Sequence, residues 1–249
     1  MNPAIAHSAD EATRHEAQEY IQCASFIAQV IRTQRRKTAD IRVEEGVVSI
    51  AVPLDLEPAR IQQVLNSKRQ WILQKLALHR QAMPASSKSF VSGESFPYLG
   101  RNYRLKVYSG SYQPAKLIQG RLEVFVPQGS EQAHRVRSAL VRWYQQQAQN
   151  KLPNKAQRYA KLMGVTPQYI GIKTFKSRWG SCHGNGHIDF NWKIVLAPNR
   201  MVDYVVVHEL SHLKHHDHSP QFWREVEHIM PDYLECKAWL KHNAAQCEL

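Results

Sequence analysis

Two histidines and a glutamate in the second half of the chain have the spacing of a metal-dependent hydrolase site. His208 and His212 are four positions apart in a run without glycine or proline. On an α-helix such positions differ by about 40° around the axis and about 6 Å along it, so both imidazoles project from nearly one face. Two such imidazoles can share one Zn²⁺ ion, and Glu209 beside them can reach a water on that ion. The pattern predicts a zinc site whose general base is Glu209.

A third ligand is needed, and three histidines follow the pair. They are His215, His216 and His218. If the helix continued, His215 would lie about 10.5 Å along the axis from His208, which is too far for ligands about 2.1 Å from one ion. The chain is therefore expected to turn back, and the Ser-Pro pair at 219–220 is typical of the start of a new helix. We predict His218 as the third ligand, with His215 and His216 as solvated residues at the helix end.

The elements that position these residues can be read from apolar periodicity. Asn199 is predicted as the N-cap of a helix whose apolar residues continue through 201–213. Two strands are expected before it, at 169–175 and 187–196. The Asn-Gly pair at 185–186 predicts a tight turn in the connection between them.

Earlier in the chain, alternating apolar residues predict a hairpin within 25–53 and further strands at 98–108 and 116–126. The later strands are expected to extend the same sheet. Helical periodicity predicts one helix over 57–81 and a longer one over 131–163. The sequence thus predicts an α+β fold, with a β-rich N-terminal half and a helical C-terminal half that contains the zinc helix.

Three regions are predicted from this pattern. Residues 1–24, rich in Ala, Glu and Gln, are expected to be an N-terminal extension. Residues 25–130 are expected to be a β-rich region with one helix, and residues 131–249 to be the catalytic region.

Composition limits the class of protein. The chain has 249 residues, 43% of them hydrophobic, which is enough for a substantial core. No run approaches 18 apolar residues and no basic-then-apolar leader is present, so we expect no membrane association and no export. The four cysteines lack C-x-x-C spacing, which favours a reducing cytoplasm, and Cys182 is interpreted as a structural thiol.

The formal net charge of +12 favours anionic partners such as nucleic acid, nucleotides or acidic protein surfaces. Composition alone does not choose among them. The alternative is that the positive charges only form solvated faces that aid solubility. One local concentration, at Lys173, Lys176 and Arg178, precedes the predicted zinc helix.

Several segments in order resemble a known family. They are 177–182 (SRWGSC), 203–212 (DYVVVHELSH), 218–223 (HSPQFW) and 230–233 (MPDY). Together they closely resemble the YgjP-like family of predicted zinc metallopeptidases, over roughly residues 25–242. That family is related to the SprT-like and WLM groups, so the resemblance implies a minigluzincin-like fold. It also implies His208, His212 and His218 as the metal ligands.

The resemblance and the residues leave three functions open. The first is a metallopeptidase, in which the strand at 187–192 would offer an edge for an extended peptide. The second is a nucleoside triphosphate pyrophosphatase, notably for UTP, an activity also associated with the family; Lys176 and Arg178 would then hold the anion. The third is a nucleic-acid-associated module whose zinc is purely structural.

Five further residues are weaker candidates for the site. Arg178 and Trp179 are predicted to position substrate, although a Trp-Gly pair between strands is also typical of packing. Tyr204 lies one helical turn before His208 and is expected either to line the cleft or to pack in the core. Asp189 and Asn191 are predicted to orient a metal-binding histidine.

Overall fold

A computed structural model describes residues 19–34, 38–44, 46–82 and 88–249. The chain forms two compact units. The first comprises Met1–Glu44 with Val48–Lys75, and the second Glu45–Val47 with Leu76–Leu249. Most of the predicted extension, residues 1–18, lies outside the described residues, and the boundary at residue 24 stays a prediction.

The first unit contains a four-stranded sheet. Its strands are β1 (Glu19–Gln22), β2 (Ile27–Arg32), β3 (Asp40–Glu44) and β4 (Val47–Val52), in the spatial order β1-β2-β4-β3. β1 is antiparallel to β2, and β2 is parallel to β4. The alternating residues Val48, Ile50 and Val52 are buried. The strands predicted within 25–53 are present, and β1 is a further strand that the pattern did not indicate.

Two helices follow where the sequence predicts one. They are α1 (Pro58–Ser67) and α2 (Arg69–Ala82), separated at Lys68, whose backbone leaves the helical region at φ −100° and ψ 7°. Pro58 begins α1 because a proline at the first position loses no intrahelical hydrogen bond. The apolar side chains of Ile61, Leu65 and Ile72 are buried, so the periodicity continues across a break that it did not reveal.

A second four-stranded sheet belongs to the second unit. It consists of β5 (Ser95–Tyr98), β6 (Arg101–Ser109), β7 (Gln113–Ile118) and β8 (Arg121–Val126), in the order β5-β6-β8-β7. The prediction that these strands extend the first sheet is wrong, since the described strands pair only among themselves. The reason is that one face of this sheet is buried against the long helix α3 (Gln132–Met163). A sheet with its own helical cover forms its own core.

The helix α3 is the central element of the second unit's core. Buried apolar residues occur along its whole 32-residue length, from Val136 through Tyr144 and Leu152 to Met163. It ends at Gly164, whose left-handed backbone (φ 64°) donates to the carbonyls of the last turn. The helix predicted over 131–163 is confirmed.

A three-stranded sheet precedes the segment that contains the predicted ligands. Its strands are β9 (Tyr169–Lys173), β10 (Gly180–Cys182) and β11 (His187–Asn191), in the order β10-β11-β9. β11 is parallel to β9 and antiparallel to β10. Gly186 has φ 77°, as the predicted tight turn requires. The strand predicted over 187–196 ends early, because Trp192–Leu196 form a buried 3₁₀ helix capped by the Asn191 side chain.

Three helices complete the second unit: α4 (Asn199–Ser211), α5 (Pro220–Ile229) and α6 (Tyr233–Asn243). A 3₁₀ turn at Ala244–Cys247 follows. The N-cap of α4 is Pro198 rather than the predicted Asn199, whose amide instead contacts Asp203 at 3.4 Å. The protein is therefore α+β, with a β-rich N-terminal half and a helical C-terminal half, as predicted. None of the described helices is long and apolar enough to cross a membrane.

Candidate metal centre

Three imidazoles meet at the C-terminal end of α4. His208 and His212 project from the helix, and His218 comes from the segment before α5. The ring centroids are 5.1, 5.0 and 4.8 Å apart, a nearly equilateral triangle. One ligand atom from each ring lies within 4.8 Å of the others. The structure thus brings together the three side chains that the sequence singled out as metal ligands.

These three rings fit a metal ion. The Nε2 atoms of His208 and His218 are 3.2 Å apart. Two nitrogens bound to one tetrahedral Zn²⁺ at about 2.05 Å would be separated by about 3.3 Å. An all-imidazole set suits zinc and the neighbouring first-row metals and is poor for the hard cations Mg²⁺ and Ca²⁺. The donor set and its spacing therefore match a transition-metal site.

A turn after α4 places His218 opposite the helix. The helix ends at Ser211, and α5 restarts with Ser219, whose hydroxyl accepts a hydrogen bond from the Phe222 amide at 3.4 Å. The predicted turn and restart are confirmed. His212 Nδ1 lies 3.0 Å from the His215 carbonyl, which selects the tautomer that leaves Nε2 as a free acceptor. His215 thus contributes its backbone, and its ring is outside the three-histidine cluster.

Two aromatic side chains, Phe222 and Trp223, pack against the three imidazoles. The buried ring of Phe222 lies 5.0, 4.6 and 4.9 Å from the rings of His208, His212 and His218. Trp223 stacks on His218 at 5.6 Å with an interplanar angle of 20°. The apolar surroundings favour neutral imidazoles, because burial lowers the pKa of His208 to about 3 and also lowers that of His212. Neutral rings are the form that binds metal.

Glu209 is buried on the adjacent side of α4, with 6% of its surface exposed. Burial raises its pKa to about 7, against the opposing effects of the Arg178 guanidinium and of a hydrogen bond from the Cys182 backbone N–H. A carboxylate with this pKa is a stronger base than an exposed one and still ionises near neutral pH. The arrangement can therefore take a proton from a water held near the histidines.

One known protein family matches most of the chain. The sequence profile of the YgjP-like metallopeptidase domain matches residues 37–243, well over half of the chain. The chain belongs to the YgjP-like metallopeptidase family. Among solved structures, the metallopeptidase zymogen of Pyrococcus abyssi abylysin is 23% identical, with a TM-score of 0.33, over 36% of this chain and 93% of that one. A comparison with curated proteins gave no match. Membership of a metallopeptidase family implies a metal ion.

Within this YgjP-like domain, two of the predicted substrate-positioning residues, Arg178 and Trp179, directly precede β10, and the third, Tyr204, lies on α4. Arg178 is exposed, with its guanidinium 5.8 Å from the Phe175 ring and close enough to Glu209 to affect its pKa. Trp179 is half-buried against the core. Tyr204 is buried with its ring 5.8 Å from His208, and burial raises its pKa to about 12. Tyr204 therefore packs in the core beside the His208 ring.

Asp189 and Asn191 form hydrogen bonds to groups other than the three histidines. Asp189 accepts from Lys173 at 2.6 Å and is 2.9 Å from the His183 ring. Asn191 donates to the carbonyls of Phe175 and Arg178 at 3.1 and 3.0 Å. The sequence predicted instead that Asp189 and Asn191 would orient one of the metal-binding histidines. Asn191 supports the loop that presents Arg178, instead of orienting a metal ligand.

The peptide edge that the sequence suggested at 187–192 is wrong. β11 is the middle strand of its sheet, so its backbone is paired on both sides. Among the described strands, β10 pairs only with β11, which leaves β10 as the edge beside α4. Position along the chain could not distinguish a middle strand from an edge, because that depends on the β9–β11 pairing.

Two features of the site were missed from the sequence. Gly180 allows the close approach of Glu209, and the Cys182 amide bonds to the Glu209 carboxylate. A glycine inside a strand is a recognised sign of close approach by another group, and was the available signal. The Cys182 thiol fits its predicted structural role, since burial raises its pKa to about 11 and keeps it protonated.

Proposed function

We propose that this protein is a zinc metallopeptidase in which His208, His212 and His218 bind the metal and Glu209 is the general base. The observation that carries the proposal is the buried carboxylate of Glu209, next in sequence to His208 of the three-imidazole cluster. Among the described residues the cluster offers three protein ligands. A catalytic zinc site keeps one position open, whereas a structural site has four protein ligands, so this count favours catalysis over the structural-zinc alternative.

Each residue of the site has a separate role in the proposed reaction. When bound, zinc acidifies a water and polarises the carbonyl under attack. Glu209 takes the proton from the attacking water and passes it to the leaving amine. The Cys182 N–H holds the carboxylate in place, and burial keeps its basicity high. His212 keeps its metal-facing nitrogen unprotonated through its bond to the His215 carbonyl.

The proposed substrate is an extended segment of polypeptide. The Cys182 N–H bonds to Glu209, so the side of β10 that pairs with no described strand faces Glu209. A peptide that adds to this edge as a further strand would therefore lie alongside Glu209. Main-chain pairing is independent of side-chain type, so cleavage of unfolded chains of varied sequence is expected.

A nucleotide substrate is the second candidate. Its support is a cleft of about 130 Å³ lined by Phe175, Lys176, Ser177, Arg178, Trp179, Asn191, Ala244 and Glu248. Lys176 and Arg178 are suited to hold phosphate oxygens. However, the residues that line this cleft include neither Glu209 nor the three histidines, so the peptide candidate is preferred.

We also infer a reducing, cytoplasmic location. All four cysteines, Cys23, Cys182, Cys236 and Cys247, are free thiols. Disulfides are rare in reducing compartments, and this cysteine usage is typical of them.

One experiment compares the two substrates. The zinc-loaded protein is offered a mixture of unfolded proteins and, separately, a set of nucleoside triphosphates, with Glu209→Gln as the matched variant. We expect new peptide ends from the native protein and a loss of turnover of about 10²–10⁴-fold in the variant, with full metal content. Release of phosphate without peptide cleavage would contradict the peptidase proposal. Full activity of the Glu209→Gln variant would show that Glu209 is not the general base.

A further inference from the structure

The outer face of the second sheet, formed by β5 to β8, carries several basic and aromatic side chains. Because side chains alternate along a strand, Leu105, Leu122 and Val124 point into the core, and their neighbours point outward. We call the outward set the basic sheet face. It consists of Arg104, Lys106 and Tyr108 on β6, Arg121, Glu123 and Phe125 on β8, and Lys116 and Ile118 on β7.

The strand register arranges this face in rows. Arg104 is directly opposite Arg121. The next row places Glu123 between Lys106 and Lys116. Four cations and one carboxylate therefore occupy two adjacent rows of a three-strand surface, and all four cations are exposed.

Among the described residues, none of the four cations of this face forms an ion pair with a carboxylate. These cations are Arg104, Lys106, Lys116 and Arg121. The nearby carboxylate of Glu123 accepts instead from the Tyr108 hydroxyl at 3.3 Å. Like charges directly opposite each other destabilise a sheet. An anion lying across the rows would remove that repulsion.

An aromatic pair continues the face. Tyr108 and Phe125 are opposite each other in the register and stack with centroids 4.6 Å apart and an interplanar angle of 14°. Both rings are half-buried, and the Lys106 ammonium is 5.7 Å from the Tyr108 ring. Flat aromatic surfaces beside cations suit nucleobases, which stack irrespective of sequence. The carboxylates of acidic side chains and the headgroups of phospholipids have no aromatic ring to stack in this way.

We propose that the basic sheet face binds single-stranded nucleic acid, with phosphates against the two basic rows and bases stacked at Tyr108 and Phe125. A duplex would keep its bases away from the aromatic pair, so the single-stranded form is specified. The net charge of +12 supports the same partner by long-range attraction. This site lies on a different element from the metal centre, and its binding does not depend on the proposed peptidase activity.

The test measures binding by fluorescence anisotropy. Labelled oligo(dT) and oligo(U) of about 12 nucleotides are the probes, a length within the usual site size of such surfaces. The native protein should bind with an affinity that falls steeply between about 50 and 200 mM salt. Arg104→Gln/Arg121→Gln should bind at least tenfold more weakly and with a smaller salt slope, because two phosphate contacts are lost. Using both probes distinguishes DNA from RNA as the preferred strand.

Matched variants separate this site from general charge. Lys151→Gln/Lys161→Gln removes the same two charges from exposed positions of α3 and should bind as the native protein does. Phe125→Leu keeps an apolar side chain without an aromatic face and should weaken binding about fivefold or more. Thermal melting verifies that each variant is folded.

Three results would overturn the proposal: no oligonucleotide binding at low salt, equal weakening by both double variants, or binding of polyglutamate or of anionic lipid vesicles as tight as that of the oligonucleotides. The last result would assign the face to acidic protein or to a membrane surface instead. Peptidase assays on the same variants should be unchanged, so failure here and failure of the proposed function are distinguishable.

Discussion

Gly180 lies directly against the Glu209 side chain. A Cβ added at Gly180 would be 2.6 Å from both Cγ and Oε1 of Glu209, closer than real Cβ contacts occur. The same short strand provides the Cys182 N–H that bonds to the carboxylate. β10 therefore constrains the position of Glu209, the proposed general base, in two ways: Gly180 has no side chain to displace it, and the Cys182 N–H donates a hydrogen bond to it.

Gly180→Ala should displace the Glu209 carboxylate while the three histidines stay in place. A misplacement of about 1 Å in a catalytic group can cost about 100-fold in rate, and we expect a fall in kcat of that order. Metal content should be unchanged, because no ligand is touched. Steady-state kinetics and metal analysis measure the two effects separately.

The control is Gly184→Ala, in the turn of the same hairpin. A Cβ added at Gly184 meets nothing within 4 Å. Native kinetics are expected, and equal impairment of the two variants would mean that the hairpin, rather than the Glu209 contact, is sensitive.

His218→Ala should lose the metal. Two imidazoles from α4 remain, but the ligand supplied across the turn is gone. His215→Ala and His216→Ala should keep it, since both rings are outside the cluster. Metal analysis after dialysis gives the stoichiometry, and a chelator should abolish peptide cleavage that added zinc restores. Retention of one metal per chain by His218→Ala would transfer the third-ligand assignment to another residue.

Trp223→Leu should weaken metal binding by about tenfold, the lower end of the effect of residues that support metal ligands. Trp223 stacks on His218 and restricts its ring before metal binds. Trp223→Phe keeps an aromatic face and should recover most of the affinity. Competition with a chromophoric chelator measures this directly, and identical affinities for the Leu variant and the native protein would remove the positioning role.

Asp189→Asn should destabilise the fold at neutral pH but not in acid. Burial opposes ionisation of Asp189, but hydrogen bonds from Lys173 and His183 outweigh it and hold its pKa below the usual value. A carboxylate with a lowered pKa stabilises the folded state above the unfolded pKa, about 3.9, and loses this effect as pH falls through the folded value. We expect a loss of about 2 kcal/mol at pH 7 by denaturant unfolding. A difference that persisted undiminished near pH 3 would contradict this.

Local sequence patterns were sufficient to predict the main helices and strands of the C-terminal half. The apolar period of 201–213 and the His208–His212 spacing determined that two imidazoles share a helix face, because a helix repeats every 3.6 residues whatever surrounds it. The Ser-Pro pair indicated where the next helix begins, and with it the return of His218. Long elements such as α3 were predicted nearly to the residue because their terminating glycine acts locally.

Pairings between distant segments were decided only by the tertiary structure. Whether β11 is an edge depends on β9 and β10 together, and whether β5 to β8 join another sheet depends on the cover provided by α3. The contact of Gly180 with Glu209 and the bonds of Asn191 to loop carbonyls are likewise non-local. The sequence by itself determined which three histidines and which glutamate are the candidates for metal binding and proton transfer. The packing of β10 against α4 decided how the proton-accepting carboxylate is held, because that contact joins residues about 30 positions apart whose distance no local periodicity specifies.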